Sequence, residues 1–260
     1  MNIIHVIILG IVEGITEFLP VSSTFHLIWT SQLLSLPQSD FVKLFQVVIQ
    51  GGAIGAVILL YWKEVLTNLS LMKKLMVSFI PTAIIGLMLY KLIKDVFFES
   101  MMVTTVVFIV VGILFILIER YIKAGKLSMK LDISKLTYKD ALLIGVFQAL
   151  AVVPGVSRAG AVLVGMMILG YRRDESAKYS FILSIPTILA AAALDLLQMR
   201  DIAFASIDTS MVLLLGLGIA FISSLICVKW LITYLQNHSL ELFGWYRIAV
   251  GILLLAALVA

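Results

Sequence analysis

The sequence predicts an all-α polytopic membrane protein, arranged as an inverted repeat of two halves, each a re-entrant helical hairpin plus three transmembrane helices. First, the 260 residues are 62% hydrophobic and 13% charged, with a mean hydropathy of +1.13, whereas a soluble domain carries about a quarter charged residues. Second, six apolar runs approach or exceed the ~20 residues that a bilayer crossing needs. Third, two further apolar regions are each interrupted near the middle by Pro and Ser.

The six long runs predict transmembrane helices. They lie near residues 41–62, 75–94, 101–118, 178–197, 211–235 and 243–260. The net charge of +4 is small and dispersed, so no nucleic-acid partner is expected. The single Cys227 lies inside an apolar run and offers no disulfide framework. The N-terminus lacks the basic segment and cleavage site of a signal peptide, so we expect it to stay in the mature chain.

The two interrupted regions, 1–36 and 141–171, predict helical hairpins that enter the membrane and return. Their pieces of roughly 13–18 residues are mostly short for a span. Irregular backbone at membrane depth is tolerated only where protein buries it or water reaches it. We therefore expect both breaks to lie inside the protein.

The two hairpins also resemble each other at a constant offset of 135 residues. GIVEGITEFLPVSS begins at Gly10 and GVFQALAVVPGVSR begins at Gly145. The matched pairs are Gly10 and Gly145, Glu13 and Gln148, Val21 and Val156, and Ser22 and Ser157, while Pro20 and Pro154 miss the register by one. We predict repeat 1 at about 1–118, a central polar loop at 119–140 and repeat 2 at about 141–260. Three crossings per half would invert the second half, as in many transporters.

The distribution of basic residues supports this topology through the positive-inside rule. The predicted cytoplasmic face holds Lys63, Lys73, Lys74, Arg120, Lys123, Lys126, Lys130, Lys135, Lys139, Arg172, Arg173 and Lys178, and the other face holds Lys43, Lys91, Lys94 and Arg200. Both termini are then outside. The first hairpin enters from outside and the second from the cytoplasm.

Two carboxylates mark the first hairpin. Glu13 and Glu17 are four residues apart and so share one face of a helix. An ionisable group inside a membrane costs ~2.5–3.5 kcal/mol on insertion scales and usually marks function. A cation, an arginine or a shared proton could stabilise the pair. The alternative is a helix near the interface, with both carboxylates in water.

A hydroxyl cluster follows these carboxylates. Pro20 should end the first helix, and Ser22, Ser23 and Thr24 then lie at the start of a second, as N-cap residues do. Such a helix start is an anion site. His26 is one turn beyond Ser23, which gives a nucleophile and a base within reach. The alternatives are plain capping by the serines and an interfacial or core histidine.

The second hairpin offers a cation in place of the carboxylates. In PGVSRAG (154–160), Pro154 and Gly155 break the chain, Ser157 can cap and Arg158 opens the new helix. Arg158 is interpreted as the only basic residue in the middle of an otherwise apolar segment. Its forked guanidinium suits phosphate or carboxylate recognition. The alternative is an arginine that only neutralises the two glutamates of the first hairpin.

Together the hairpins offer carboxylates, hydroxyls and a histidine on one side, and an arginine with a helix N-terminus on the other. This combination fits cleavage of a phosphate ester or diphosphate beside a bilayer. It also fits the binding and movement of an anionic substrate, so an inverted-repeat transporter or lipid flippase for an anionic substrate is the rival hypothesis.

The motifs EGITEFLPVSST (13–24), followed by His26, and PGVSRAG (154–160) resemble those of the undecaprenyl-diphosphate phosphatase family, the bacitracin-resistance membrane phosphatases. Weaker similarity covers FQVVIQGGAIGAV (45–57) and the YRIAVG stretch near the C-terminus. The resemblance implies hydrolysis of undecaprenyl diphosphate to undecaprenyl phosphate and inorganic phosphate, which recycles the lipid carrier of cell-wall synthesis. It also implies a bacterial inner-membrane location, a site that opens to the outer face and a divalent cation, Mg²⁺ or Ca²⁺.

The resemblance also implies roles for particular residues. The implied catalytic residues are Glu17, Glu13, Ser23, His26 and Arg158, the substrate-binding residues are Ser22, Thr24, Gly155 and Ser157, and the cation ligands are Glu13 and Glu17. The nucleophile stays open between Ser23 and a water activated by Glu17 or His26. The expected partners are the polyprenyl diphosphate and membrane lipid. The oligomeric state stays open, with a homodimer as one candidate.

The chain departs from the family pattern at two positions of the second motif. Ala159 and Val162 stand where Ser and Thr are common in the family. Two hydroxyls that could contact phosphate or cation are therefore missing, and we expect their contribution to be lost.

Overall fold

The structure is a computed structural model that describes residues 1–37, 39–92, 101–203 and 206–259. Over these ranges the chain is helical and forms no β-strand, apart from one isolated bridge pair between Leu131 and Tyr171. The helices are α1 Ile3–Thr16, α2 Ser23–Leu33, α3 Asp40–Thr67, α4 Leu69–Leu92, α5 Met101–Lys123, α6 Tyr138–Ala149, α7 Arg158–Ile168, α8 Arg173–Gln198, α9 Arg200–Ala203, α10 Ile207–Asn237 and α11 Glu241–Val259. Two short 3₁₀ turns, Ile133–Lys135 and Leu150–Val152, flank α6.

The six predicted crossings are confirmed as helices. In the described residues, α3, α4, α5, α8, α10 and α11 are long and apolar enough to span a membrane, and each overlaps one predicted run. The all-α polytopic membrane fold is therefore confirmed. The end of the run 75–94, with Lys94, lies outside the described residues.

The central loop predicted at 119–140 is wrong at both ends, because helices occupy them. α5 continues to Lys123, with Arg120 and Lys123 in its last turn, where cations interact favourably with the helix dipole. α6 begins at Tyr138, behind a capping box formed by Thr137 and Asp140. The non-helical connection is correspondingly shorter.

The two interrupted regions form helix pairs, which we call hairpin 1 (α1 and α2) and hairpin 2 (α6 and α7). Their second helices have the same length of 11 residues and begin at Ser23 and Arg158, again 135 residues apart. α1 packs on α10, and α6 packs on α4. Inversion of the halves across a membrane stays a prediction.

The hairpins open at opposite ends of the bundle. The outer ends of hairpin 1 pack with the beginnings of α3 and α10, around Val6, Leu36 and Leu213. Those of hairpin 2 pack with the beginning of α4, around Leu71 and Leu136. The two breaks therefore meet between the ends.

Ion pairs join several basic residues at the end where hairpin 2 opens. The Arg173 guanidinium donates two hydrogen bonds to Glu119, a fully buried carboxylate that also accepts from the Leu240 N–H. Lys178 donates to Glu64 at the end of α3 across 2.9 Å. Which side of a membrane this end faces stays a prediction.

Glycine allows the long helices near the first break to approach closely. A Cβ atom on Gly52 of α3 would lie 2.1 Å from the Leu217 carbonyl oxygen of α10, and one on Gly14 of α1 would lie 2.6 Å from the Ala220 carbonyl oxygen. Close packing of this kind is typical of membrane helices. α10 thereby supports the segment that presents the carboxylates of hairpin 1.

Candidate active site

A cavity of about 180 Å³ lies between the two hairpin breaks. It is lined by Glu17, Ser22, Ser23, Thr24, Gln50, Ala151, Val153, Pro154, Gly155, Ser157, Arg158, Thr187, Ile188 and Ala191. Seven of the nine predicted site residues are in this lining, and the exceptions are Glu13 and His26. The structure thus brings together residues that lie more than 130 positions apart in the sequence.

Glu13 and Glu17 share one helix face, as predicted. Glu17 is the C-cap of α1, keeps helical dihedral angles, and its N–H donates to the Glu13 carbonyl oxygen across 2.9 Å. Both residues are buried, with exposures of 0% and 9%, so the alternative of two carboxylates in water is wrong. The prediction that Pro20 ends the helix is also wrong, because α1 ends at Thr16, before the turn that contains the proline.

Glu17 connects the two hairpins. Its Oε2 accepts a hydrogen bond from the Ser23 hydroxyl at 2.5 Å, and its Oε1 accepts one from Arg158 Nη2 at 2.8 Å. A second guanidinium nitrogen of Arg158 donates to the Ser180 carbonyl oxygen of α8 at 3.2 Å. Arg158 therefore neutralises Glu17, as the alternative interpretation held, and it also lines the cavity, where an anion could reach it.

The two breaks share an unusual backbone conformation. Ser22 and Ser157 both have positive φ, 66° and 74°, which is uncommon for a residue with a side chain and costs roughly 1–3 kcal/mol. The Ser157 hydroxyl accepts from the Gly160 N–H at 3.2 Å, which confirms its capping role. The Ser22 side chain makes no cap hydrogen bond, so plain capping by Ser22 is wrong.

This conformation places the first residue of each second helix at the cavity, Ser23 in hairpin 1 and Arg158 in hairpin 2. The N-termini of α2 and α7 therefore both face the cavity. Helix N-termini favour anions through their free N–H groups and dipole. Among charged side chains the lining holds one carboxylate and one guanidinium, so an incoming anion meets little net repulsion.

His26 makes no hydrogen bond within the described residues to Ser23, the nucleophile with which it was predicted to pair. Its Nδ1 lies 2.8 Å from the Ser22 carbonyl oxygen, and its Nε2 lies 2.7 Å from the Tyr246 hydroxyl. A carbonyl oxygen only accepts, so Nδ1 donates, and in a neutral ring Nε2 accepts from Tyr246. Both ring nitrogens are engaged, and Glu17 takes the place beside Ser23.

Sequence reasoning missed a second buried arginine. Arg247 of α11 has an exposure of 0%, so the interpretation of Arg158 as the only basic residue within an apolar segment is wrong. Arg247 is close to the beginning of α11 and therefore resembles a charge at a helix end. The available signal was the polar pair Tyr246–Arg247 between apolar neighbours.

Two polar residues of the cavity were also missed as site residues. Gln50 and Thr187 line it. Gln50 follows Gln46 by one helical turn of α3, and Gln46 donates to the Ser31 hydroxyl of α2 at 2.9 Å. The signal for Gln50 was a second amide within the same apolar run.

Glu13 has the surroundings that a cation ligand needs. Within the described residues, neither of its carboxylate oxygens has a hydrogen-bond partner, although the side chain is fully buried. It lies beside Glu17, and two carboxylates suit a hard divalent cation. The described residues contain no cluster of three or more His, Cys, Asp or Glu that could hold a metal alone. The site therefore fits Mg²⁺, which commonly uses one or two carboxylates and takes its other ligands from water and phosphate.

The two positions without hydroxyls, Ala159 and Val162, are buried and are not among the cavity residues. Val162 belongs to an apolar cluster that includes Met166 and Tyr179. The structure therefore does not place the side chain of residue 162 where it would contact phosphate.

Comparison with known proteins extends over nearly the whole chain. The family model described as bacitracin resistance protein BacA matches residues 6–253. The chain is 43% identical over 246 residues to an undecaprenyl-diphosphatase of Aquifex aeolicus, covering 95% of this chain and 94% of the relative. It is 46% identical over 253 residues to one of a Sulfurihydrogenibium species, covering 97% and 98%, and 43% identical over 255 residues to one of Persephonella marina, covering 98% of each.

Proposed function

The chain belongs to the family of the bacitracin resistance protein BacA, and from this premise we propose how its membrane-embedded site works. The protein is an integral membrane phosphatase that hydrolyses undecaprenyl diphosphate to undecaprenyl phosphate and inorganic phosphate, which recycles the lipid carrier for cell-wall synthesis. The single structural observation that supports this chemistry best is Glu17, shared between the Ser23 hydroxyl and the Arg158 guanidinium across the two hairpins.

The diphosphate enters the cavity between the hairpins while the lipid tail stays in the bilayer. The N-termini of α2 and α7 and the guanidinium of Arg158 bind its phosphate oxygens. The rest of the substrate-binding wall of the cavity is formed by Ser22, Thr24, Gly155 and Ser157. A guanidinium has five N–H donors, so Arg158 binds phosphate oxygens while its Nη2 keeps the contact with Glu17.

Ser23 then attacks the terminal phosphorus. The bond from Ser23 Oγ to phosphorus forms, the bond from phosphorus to the bridging oxygen breaks, and undecaprenyl phosphate leaves. The Ser23 proton passes to Glu17 Oε2, to which the hydroxyl already donates. Water then attacks the phosphorus, the bond from phosphorus to Ser23 Oγ breaks, and Glu17 returns the proton to Ser23 as inorganic phosphate leaves. In the alternative route, Glu17 or His26 activates water directly, and Ser23 only binds phosphate; the contacts of both His26 nitrogens favour Glu17 over His26.

Glu13 and Glu17 would hold the divalent cation, Mg²⁺ or Ca²⁺. A bound cation would supply charge neutralisation of the diphosphate. The chain's own contribution is the fully buried Glu13 carboxylate, whose oxygens are oriented by the last turns of α1.

We further propose an inner-membrane location with the cavity open to the outer face. Support comes from the basic residues gathered at the end where hairpin 2 opens, which the positive-inside rule assigns to the cytoplasm. A cysteine-accessibility map with the 119–140 segment outside would overturn this orientation. A homodimer is likewise proposed, and the mass of the protein in detergent tests it.

Phosphate release from a polyprenyl diphosphate by the purified protein tests the activity. We expect release that a chelator abolishes and that Glu17→Ala and Arg158→Ala both remove, with each variant folded by circular dichroism. Trapping a phosphorylated Ser23 with a slow substrate supports the covalent route, and its absence during turnover supports direct attack by water. No release across cations and lipid lengths would turn the proposal towards transport of an anionic lipid.

A further inference from the structure

We propose that Arg247 is a positioning residue that fixes the two hairpin breaks relative to each other and so aligns Ser23 with Arg158. The proposal rests on the proposed function, in which these two residues act on one diphosphate. Arg247 lies outside the cavity lining, so it acts through the backbone and does not touch the substrate.

The guanidinium of Arg247 is bound by three backbone carbonyl oxygens. Its Nε donates to Phe108 of α5 at 2.9 Å, its Nη1 donates to Pro20 at 3.0 Å, and its Nη2 donates to Gly155. Pro20 lies in the first break and Gly155 in the second. One side chain of α11 thus joins three separate parts of the bundle.

The two carbonyls from the breaks are equivalent in the repeat. Pro20 and Gly155 are 135 residues apart, the offset that relates the hairpins, and each lies three residues before the helix start at Ser23 or Arg158. Arg247 therefore binds the same backbone position in both hairpins. The rigid fork of a guanidinium sets the spacing of the two carbonyls.

Burial explains why this position takes an arginine. The side chain is fully buried, and the described residues include no carboxylate paired with it. The breaks leave carbonyl oxygens without helical partners deep in the protein, where an unsatisfied carbonyl is destabilising. Arg247 satisfies two of them, and its charge also lies 4.3 Å from the centroid of the Phe108 ring. An apolar residue of the same size would leave both carbonyls unpaired.

Alignment of the hairpins then depends on Arg247, because Ser23 and Arg158 follow these carbonyls by three residues. A misplacement of about 1 Å between reacting groups can lower a rate by roughly 100-fold. The lipid tail partitions into the bilayer whatever the geometry of the breaks. Loss of Arg247 should therefore lower kcat much more than it raises KM.

The test compares Arg247→Met and Arg247→Lys with a matched control, Arg173→Lys. Arg173 also donates hydrogen bonds to two oxygens, which both belong to the Glu119 carboxylate, but it lies at the end of the bundle. For each purified variant we would measure kcat and KM with a polyprenyl diphosphate, and hydrogen–deuterium exchange in the segments 17–24 and 153–159.

Arg247→Met should accelerate exchange in both segments together, lower kcat about 100-fold and change KM by less than about threefold. Arg247→Lys, which keeps the charge but not the fork, should recover part of kcat. Arg173→Lys should leave both segments and kcat unchanged. If the Met variant does not fold, the Lys variant is judged by the same criteria.

Unchanged exchange in either segment, or faster exchange spread evenly over the bundle, would overturn the proposal. So would equal effects of Arg247→Lys and Arg173→Lys on kcat. Exchange is measured without substrate. A wild-type protein that releases no phosphate would therefore refute the proposed function, while exchange alone would still decide whether Arg247 joins the breaks.

Discussion

Hairpin 1 and hairpin 2 share a backbone plan but differ in the chemistry at equivalent positions. Each has a serine with positive φ followed by a helix of 11 residues. The first residue of that helix is Ser23 in one and Arg158 in the other. The shared backbone conformation places a side chain at the same cavity twice, and the residue type decides whether that side chain is a hydroxyl or a cation.

A second pair of equivalent positions, Glu13 and Gln148, differs in its hydrogen bonds. Glu13 is fully buried, with no hydrogen-bond partner in the described residues. Its counterpart Gln148 is also fully buried and donates to the Thr82 hydroxyl of α4 at 2.8 Å. An amide of the same shape thus joins two helices, whereas the carboxylate of Glu13 makes no such bond. The ionisable group is therefore present in one hairpin only.

Glu17→Gln should have the largest effect among the carboxylate variants, because it removes the proton acceptor of Ser23 and the ion pair to hairpin 2. Phosphate release should fall about 10³-fold, within the range of a lost general base. The control is Glu64→Gln. It removes the charge of a carboxylate that is more exposed than Glu17 and that pairs with Lys178 at the end of α3. If phosphate release falls less than tenfold in a folded Glu17→Gln variant, Glu17 is not the base that accepts the Ser23 proton.

Glu13→Gln gives hairpin 1 the residue that hairpin 2 already carries. The cation concentration for half-maximal activity should rise at least about tenfold, because a neutral amide is a weaker ligand for a hard cation than a carboxylate. Titration of Mg²⁺ against phosphate release measures it. Gln148→Leu serves as the control and should lower thermal stability without changing the cation requirement. Equal cation requirements for Glu13→Gln and wild type would contradict the assignment.

Tyr246→Phe tests a contact of hairpin 1 that has no counterpart at hairpin 2 in the described residues. This contact runs from Tyr246 through His26 to the Ser22 carbonyl. Loss of one hydrogen bond of about 1 kcal/mol should lower kcat roughly two- to fivefold. Tyr234→Phe is the matched control, since Tyr234 stacks on His238 at 4.5 Å in another part of the bundle. A loss near that of Glu17→Gln would make His26 the catalytic base after all.

Val162→Thr should have the smallest effect on activity. It restores a hydroxyl common in the family, but the side chain lies in an apolar cluster. Phosphate release should stay within about twofold of wild type, and thermal unfolding should move to slightly lower temperature because a hydroxyl is buried. A gain of tenfold in phosphate release would show that position 162 contacts the substrate.

The sequence predicted the fold and most of the cavity for a clear physical reason. Six crossings each need about 20 apolar residues, and polar groups inside such a chain are too costly to be accidental. Glu17, Ser23 and Arg158 could therefore be identified from the two motifs, and the structure brings them into contact.

The sequence could not predict contacts that depend on packing between distant helices. His26 turns to Tyr246, a residue 220 positions away, and local spacing alone favoured Ser23. Arg247 was missed because a charge near the beginning of a helix is ordinarily solvated, and only the assembled bundle buries it. α1 ends at Thr16, before the turn that contains Pro20, and motif spacing does not specify where that turn begins.

The central claim is that the two hairpins form one catalytic unit through the 2.8 Å contact between Glu17 and Arg158. A double-mutant cycle of Glu17→Gln and Arg158→Lys, measured by phosphate release, tests it most directly. We expect phosphate release to fall about 100-fold in the Arg158→Lys variant. Release by the double variant should be little lower than release by Glu17→Gln alone, which corresponds to a coupling free energy of at least about 1.4 kcal/mol. Losses that multiply in the double variant would contradict the claim.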